Sequence, residues 1–171
     1  MMNLFHVAPI PLGVGSVIEP GNWGRLMRFN DQQSFVVRRE RIFEEVRAAH
    51  YPGKPSRMNC IFCLVFSSDA AAYRDEFGPR NIIYEVEATR ESAPVHIAPI
   101  ALVPSEEVSG LVQAAHNYWS FSLVDHAKAS GTDQQPHLVS NVVTKTMAAS
   151  VPETLLGCSV RVVSRFDELE R

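Results

Sequence analysis

Alternating apolar and polar residues predict short strands near the beginning of the chain. Residues 4–8, LFHVA, show the period of two that is typical of a half-buried strand. Prolines and glycines at 9–15 interrupt this pattern, and a second short strand is predicted over 16–18. Because Pro20 and the glycine after it favour a turn, the residues at 22–25 are expected to lie on a shaped loop.

Apolar residues at helical spacing follow a polar stretch at 26–34, which is expected to be a loop. From about Val37 to His50 they recur along one stripe, which predicts a helix with one buried face. The residues expected to face water are Arg38, Arg41, Glu44, Glu45 and Arg47. The tyrosine, proline and glycine at 51–53 are expected to end this helix.

The middle of the chain predicts a strand, a helix and another strand. The nearly continuous apolar run at 59–66 is typical of a strand that is buried on both faces. Asp69 is expected to cap a helix that ends at the glycine and proline at 78–79. Alternation returns at 81–88, NIIYEVEA, and predicts a strand with one wet face.

Weaker patterns in the second half predict a similar mixture of elements. An extended segment at 95–103 contains a proline and is therefore expected at a sheet edge. A second long helix is expected to begin at Ser105, because carboxylates follow this capping residue. Residues 129–135 have loop composition, and strands are predicted at 138–143 and 159–164. Together these patterns favour an α+β fold.

Composition is that of an ordinary globular protein. A chain of 171 residues accommodates one domain, 1–171, with a full core. Charged residues make up 20% and the net charge is -3, so there is no overall reason to expect binding to nucleic acid or membranes. The first residues lack the pattern of a secretory leader and no window is apolar enough for a membrane span, so neither is expected, and three cysteines are not expected to form a disulfide framework. A cytoplasmic protein is therefore expected.

Familiar chemical motifs are weak or missing. Cys60 and Cys63 form a lone C-x-x-C, and on a strand their thiols face opposite sides, so neither a redox pair nor a zinc site is expected. The six histidines lack metal-binding spacing. The sequence contains neither a P-loop nor a G-x-G-x-x-G motif. We therefore expect no metal and no nucleotide site of the usual helix-terminus kind.

Candidate ligand-binding residues lie after the first turn and before the central strand. Asn22, Trp23 and Arg25 present an amide, an indole and a guanidinium on the predicted loop. In the alternative interpretation, the indole covers the core and the guanidinium is solvated. Arg57, in KPSR, is either part of a solvated loop or a clamp for pyrophosphate. Tyr118 and the neighbouring histidine are expected to be ordinary packing residues.

The order of three features carries a resemblance to a known family. His6 lies in the first strand, aromatic residues follow at 62–73, and Glu153 begins a late strand. This order resembles the H-Y-E pattern of ADP-ribosyltransferases of the diphtheria-toxin and poly-ADP-ribose polymerase type. The segments SVIEPGNWGR, RRERIFEEVR and YPGKPSRMNCIFC are similar to an uncharacterised bacterial family of the same fold. The resemblance implies a split antiparallel β-sandwich with peripheral helices.

The resemblance also implies an activity, a substrate and site residues. The protein is expected to transfer ADP-ribose from NAD to an unidentified macromolecule, a protein or a nucleic acid. His6 bonds a ribose, the Val7 backbone holds the nicotinamide amide, and Glu153 is the catalytic carboxylate. The remaining residues expected to contact NAD are Asn22, Trp23, Arg25, Arg57 and Ser67.

The aromatic position departs from the family pattern. Where the family has a tyrosine on a strand, this chain offers Val65 or Phe66. We expect Phe66 to stack on nicotinamide without a hydroxyl, and Tyr73 in the next helix to close the nicotinamide pocket.

Alternatives to this interpretation remain open. Glu87 is the second choice for the catalytic carboxylate, because Glu85-Val86-Glu87 is similar to the E-x-E of arginine-specific transferases and Ser67-Ser68 to their serine motif. An RNA 2'-phosphotransferase-like enzyme on the same fold requires several cations in one cleft. A catalytically silent module binds NAD, another nucleotide or a protein. A toxin delivered to another cell, a defence protein and a modification enzyme are all compatible with the sequence.

Overall fold

The chain forms a mixed α+β fold with two antiparallel sheets. A computed structural model describes residues 3–122 and 151–166. Within them the strands are β1 (Leu4–Ala8), β2 (Val17–Ile18), β3 (Ile61–Cys63), β4 (Ile82–Ala88), β5 (Val95–Pro99), β6 (Pro152–Leu156) and β7 (Val160–Arg165). The α-helices are α1 (Asn22–Phe29), α2 (Phe35–His50), α3 (Ser67–Phe77) and α4 (Leu111–Ser120), and 3-10 turns lie at Arg57–Asn59 and Ile100–Leu102.

The two sheets touch at one point and then separate. The first sheet has the order β1-β4-β7-β2 and the second the order β3-β6-β5, with antiparallel neighbours throughout. Phe5 of β1 and Leu64, just beyond β3, exchange two backbone hydrogen bonds of 2.8 Å. This pair is an isolated bridge. A gap therefore opens between β1 and β3 on one side of it.

Hydrophobic packing places β6 at the centre of the fold. All five of its residues are buried. Leu156 packs between the sheets, whereas Leu155 packs beneath α2 and α4 with Phe43 and Trp119. Because successive side chains of a strand point to opposite faces, Glu153 lies on the same face of β6 as Leu155, the face covered by α2 and α4.

Strong periodicities in the sequence predicted their elements well. The helix expected from about 37 to 50 is α2, which ends at His50, and the alternating segment at 81–88 is β4. The proline-containing segment forms the edge strand β5, and the last predicted strand is β7. The strand predicted at 138–143 and the loop at 129–135 lie outside the described residues.

The prediction of loops at 22–25 and 26–34 is wrong for most of these residues, which form a helix. Residues Asn22–Phe29 form α1, which begins after Gly21 at a left-handed φ of 100°. Gly24 lets α1 approach the 3-10 turn, because a Cβ there would lie 2.2 Å from the carbonyl oxygen of Met58. Glycines that indicate a turn in the sequence therefore serve here to begin a helix and to pack it closely.

Three other boundaries differ from the expectation. The second long helix begins at Leu111 after Gly110, whose φ is 89°, rather than at Ser105. Phe66 rather than Asp69 is the N-cap residue of α3, and the central strand is limited to β3. Within the described ranges, no helix has the length and apolar character needed to cross a bilayer.

Candidate functional site

The gap between β1 and β3 contains a cavity of about 640 Å³, called the first cavity here. Its walls come from β1, the β2 strand, the beginning of α1, β3, α3 and β6. The predicted site residues that line it are His6, Val7, Asn22, Trp23, Arg25, Tyr73 and Glu153. The fold therefore brings together side chains from the two ends of the described chain.

A second cavity of about 800 Å³ shares a wall with the first. The residues that line both are Trp23, Phe62, Tyr73, Ile100 and Glu153. Arg57 lines only the second cavity. Glu153 is therefore one of the residues in the wall that the two cavities share.

His6 spans the gap from β1 to β3. Its Nδ1 donates to the carbonyl oxygen of Phe62 at 2.9 Å, which leaves Nε2 as an acceptor. Burial lowers the pKa of His6, although the bond to the carbonyl opposes this effect. A neutral imidazole with one free acceptor nitrogen therefore lines the first cavity, suited to accept a hydrogen bond from a ligand hydroxyl.

The backbone of Val7 is also available at the gap. In an antiparallel strand, residues two apart turn their N–H and C=O groups to the same edge. Phe5 directs these groups to Leu64, so Val7 directs its own to the edge that faces β3. The pairing across that edge is the single bridge at Phe5, and Val7 lines the first cavity. A donor and an acceptor are thus presented side by side.

The first turn of α1 supplies polar groups to the opposite wall. Trp23 lies edge-on to Phe62, with 6.2 Å between ring centroids, and its buried Nε1 has no partner among the described residues. The exposed Arg25 donates to Asn22 Oδ1 at 2.7 Å. No side chain caps α1. An uncapped helix N-terminus beside an exposed guanidinium is favourable for anions.

Glu153 is held by a buried polar network. Its side chain is 8% exposed, and its Oε1 accepts from Tyr118 Oη at 2.6 Å and from the Arg57 guanidinium. Arg57 Nε donates to Glu40 Oε2 at 3.0 Å. Arg39 pairs with the other oxygen of Glu40 at 2.7 Å. Two cations and two carboxylates are therefore buried in one network, in which the Tyr118 hydroxyl contacts Arg57 and Glu153.

Electrostatics favour the charged forms of Glu40 and Arg57 and the neutral form of Tyr118. Burial alone raises the pKa of Glu40, but the Arg57 and Arg39 guanidiniums outweigh it and the net shift is downward. Burial alone lowers the pKa of Arg57, whereas the Glu153 and Glu40 carboxylates hold it well above its ordinary value. Burial and the Glu153 carboxylate raise the pKa of Tyr118 well above its ordinary value. Tyr118 therefore keeps its proton and acts as a donor.

Several predicted site residues lie elsewhere or act differently. Arg57 is 5% exposed and occupied by Glu40, Tyr118 and Glu153, so neither a solvated loop nor an open phosphate clamp describes it. Phe66 and Ser67 begin α3 and line neither cavity.

Two further positions on the strands clarify the site. Phe62 is the aromatic side chain of β3 that lines both cavities. Glu87, the second choice for the catalytic carboxylate, lines neither cavity. Its Oε1 lies 3.7 Å from Nε of Arg161 on the neighbouring strand.

Glu40 and Tyr118 belong to the buried polar network, although the sequence indicated no role for Glu40 and predicted Tyr118 as an ordinary packing residue. Glu40 lies three residues after Val37 and three before Phe43, both fully buried, so helical spacing places it on the buried face. Tyr118 follows the buried Leu111 by seven residues on α4. A buried carboxylate on an apolar stripe was the available signal, because such a group requires a partner.

The cysteine pair lies on the two sides of β3. Cys60 packs beneath the helices and Cys63 between the sheets. Burial raises the pKa of the Cys63 thiol to about 12 and also raises that of Cys60. Across 3–122 and 151–166, no three side chains form a group suited to hold a metal ion.

Comparison with known proteins gives a family without an assigned activity. The family model described as "Protein of unknown function (DUF2441)" matches residues 14–129. This range contains all four described α-helices, with Trp23, Arg57 and Tyr118, whereas His6 and Glu153 lie outside it. No curated protein matches the sequence.

Proposed function

The chain belongs to the DUF2441 family of proteins of unknown function. From the residues that line its cleft, we propose that it is an NAD-dependent ADP-ribosyltransferase. The observation that supports this most strongly is the convergence of His6, Trp23, Tyr73 and Glu153 on the first cavity. These residues come from separate elements. His6 and Glu153 are the residues that the resemblance assigns to the H and E positions, whereas Tyr73 was expected to close the nicotinamide pocket and Trp23 to contact NAD.

The proposal includes a fold assignment. An ADP-ribosyltransferase-like split sandwich requires two antiparallel sheets that diverge around a ligand cleft. Two features support this assignment: the sheets are linked through the isolated Phe5–Leu64 bridge, and the first cavity lies at their divergence. The helices pack outside the sheets, as α2 and α4 do over Leu155.

The groups around the first cavity suit the parts of NAD. Its volume of about 640 Å³ is typical of small-molecule sites. The Val7 backbone offers a donor and an acceptor to the nicotinamide amide, and His6 Nε2 accepts from a ribose hydroxyl. Arg25 and the uncapped start of α1 suit the pyrophosphate. The unpartnered Nε1 of Trp23 provides a further donor.

The proposed reaction breaks the bond between the nicotinamide nitrogen and ribose C1'. The bonding electron pair goes to the nitrogen and neutralises the pyridinium, while positive charge develops on the ribose. Glu153 accepts a hydrogen bond from a ribose hydroxyl and stabilises this positive charge. An acceptor nucleophile then bonds to C1' and releases its proton. With water as the acceptor, the products are ADP-ribose, nicotinamide and a proton.

One observation favours a second candidate, a binding module that does not cleave NAD. The Oε1 atom of Glu153 is already occupied by Arg57 and Tyr118, as in a purely structural ion pair. The RNA 2'-phosphotransferase alternative has less support, because Arg39 and Arg57 are neutralised by carboxylates. Arg25, which is exposed, is the one arginine or lysine among the described residues that line the first cavity.

The variant Glu153→Gln tests the proposed reaction. It keeps the shape of the side chain and removes its charge, so the rate of nicotinamide release from NAD should fall about a hundredfold or more. The affinity for NAD, measured by calorimetry, should change little. The matched control is Glu87→Gln on β4, which lines neither cavity and should keep the wild-type rate. Equal rates for Glu153→Gln and wild type would contradict the assignment.

A further inference from the structure

The Glu153 carboxylate is held through one of its two oxygens. Both Tyr118 Oη and the Arg57 guanidinium donate to Oε1. Oε2 receives no hydrogen bond from a described residue, and Glu153 is among the residues that line both cavities. Two donors on one oxygen restrict rotation of the carboxylate, so they also fix the direction in which Oε2 points.

Glu40 fixes the group that holds Glu153. Its Oε2 accepts from Arg57 Nε at 3.0 Å, on a different nitrogen from the one that contacts Glu153. Arg39 occupies the other oxygen of Glu40. Glu40 is 1% exposed and Tyr118 is fully buried, so the dense packing around them limits alternative arrangements.

We propose that Tyr118 and Glu40 are positioning residues that aim Oε2 of Glu153 at the substrate ribose, Tyr118 by direct contact and Glu40 through Arg57. This inference rests on the proposed function, because it takes Glu153 as the reacting carboxylate. Well-packed apolar side chains often replace buried ion pairs without loss of stability, so burial of these charges is weak evidence for a purely stabilising role.

The first test is Tyr118→Phe, which removes one hydroxyl and keeps all four charges. With NAD as the probe and nicotinamide release as the readout, kcat should fall about tenfold while KM stays within about twofold. A contact needed only in the transition state has this signature. The matched control is Tyr51→Phe. The Tyr51 hydroxyl lies 3.3 Å from His116 Nδ1, and Tyr51 lines neither cavity. This variant should keep the wild-type kcat.

The second test is Glu40→Gln, which removes the charge that holds the far side of Arg57. It should also lower kcat, and KM should change by a smaller factor than kcat. Glu44→Gln is the control on the same helix, because Glu44 pairs with Arg47 at 2.8 Å and lines neither cavity. Thermal unfolding is recorded for every variant. If Glu40→Gln loses its fold, Tyr118→Phe decides the outcome.

The outcomes separate this inference from the proposed function. An unchanged kcat for Tyr118→Phe, with wild-type protein releasing nicotinamide, overturns the positioning role and leaves the proposed function standing. A raised KM at constant kcat overturns it as well, because it indicates a role in binding. No nicotinamide release by the wild type overturns the proposed function and this inference together.

Discussion

Arg57 illustrates how burial decides the role of a single side chain. Its position in KPSR, before a strand, suggested contact with either solvent or phosphate. At 5% exposure, with Glu40 and Glu153 as partners, its charge is already satisfied. An arginine that binds phosphate needs free donors. Arg25, which is exposed at the first cavity, is therefore the better candidate for that contact.

His96 is a buried titratable residue behind the network. It is 4% exposed, its Nε2 donates to the Tyr118 carbonyl at 3.0 Å, and its Nδ1 accepts from Lys54 Nζ at 3.1 Å. Burial, the Lys54 cation and the more distant Arg57 lower the pKa of His96 to about 4, against the opposing bond to the Tyr118 carbonyl. The folded protein therefore holds this imidazole neutral.

The lowered pKa of His96 predicts a loss of stability in acid. Between about pH 6.5 and pH 4 the unfolded chain binds a proton that the folded protein does not, so stability falls as the pH falls. A shift of this size corresponds to a loss on the order of 3 kcal/mol. Urea unfolding across this range should show the loss, and His96→Gln should reduce it.

The exposed His50 provides the control for this prediction. A change in stability that His50→Gln and His96→Gln share comes from the replacement of histidine by glutamine and not from burial of the imidazole. If His96→Gln unfolds with the same pH dependence as wild type, the buried imidazole is not the cause.

At the scale of elements, α1 shows where local sequence patterns mislead. A proline and two glycines within 20–24 are typical of turns, yet Asn22–Phe29 is helical. Gly21 supplies the left-handed residue before the helix, and Gly24 allows close contact with Met58. A contact with a turn more than thirty residues later is not visible in the local pattern.

The close contact of α1 predicts the effect of Gly24→Ala. The new Cβ would lie 2.2 Å from the Met58 carbonyl oxygen, so the helix must move. Alanine favours a helix over glycine by about 1 kcal/mol, but overpacking costs about 1–3 kcal/mol. We expect a lower thermal midpoint and weaker NAD binding, because Trp23 and Asn22 move with the helix.

Gly53→Ala is the matched control, since nothing lies within 4 Å of a Cβ at that position. It should leave both the midpoint and the NAD affinity nearly unchanged. A Gly24→Ala protein as stable as the Gly53→Ala protein would show that the contact with Met58 is not restrictive.

Elements with a sustained period were easier to predict than those set by single residues. Apolar spacing predicted α2, and alternation predicted β4. The beginning of α4 was missed, because Ser105 and two glutamates resemble a helix start whereas the helix begins after Gly110. Capping residues occur in many loops, so their presence alone does not establish a helix.

At the scale of the whole molecule, the site depends on pairing between distant segments. The order of His6 and Glu153 along the chain suggested a shared cleft only through a family resemblance. Their actual proximity to one cavity depends on the β3–β6 pairing and on the bridge between β1 and β3. Local periodicity contains no information about which strands pair, so the sequence alone could not supply this geometry.

The buried network shows the same limit. Its members come from α2, the following 3-10 turn, α4 and β6, and no spacing in the sequence joins them. Glu40 was accessible from helical periodicity, whereas its link to Glu153 through Arg57 depends on tertiary packing. The charge balance of the network becomes visible only when all of these elements are assembled.

The most direct test of the central claim combines two measurements on one wild-type preparation. Calorimetry measures NAD binding, and chromatography of the same mixture measures nicotinamide release over time. If the cleft binds and cleaves NAD, binding is saturable and one nicotinamide is released for each NAD consumed. Binding without release would contradict the enzymatic role and favour a binding module. The absence of both binding and release would contradict the assignment of the cleft to NAD.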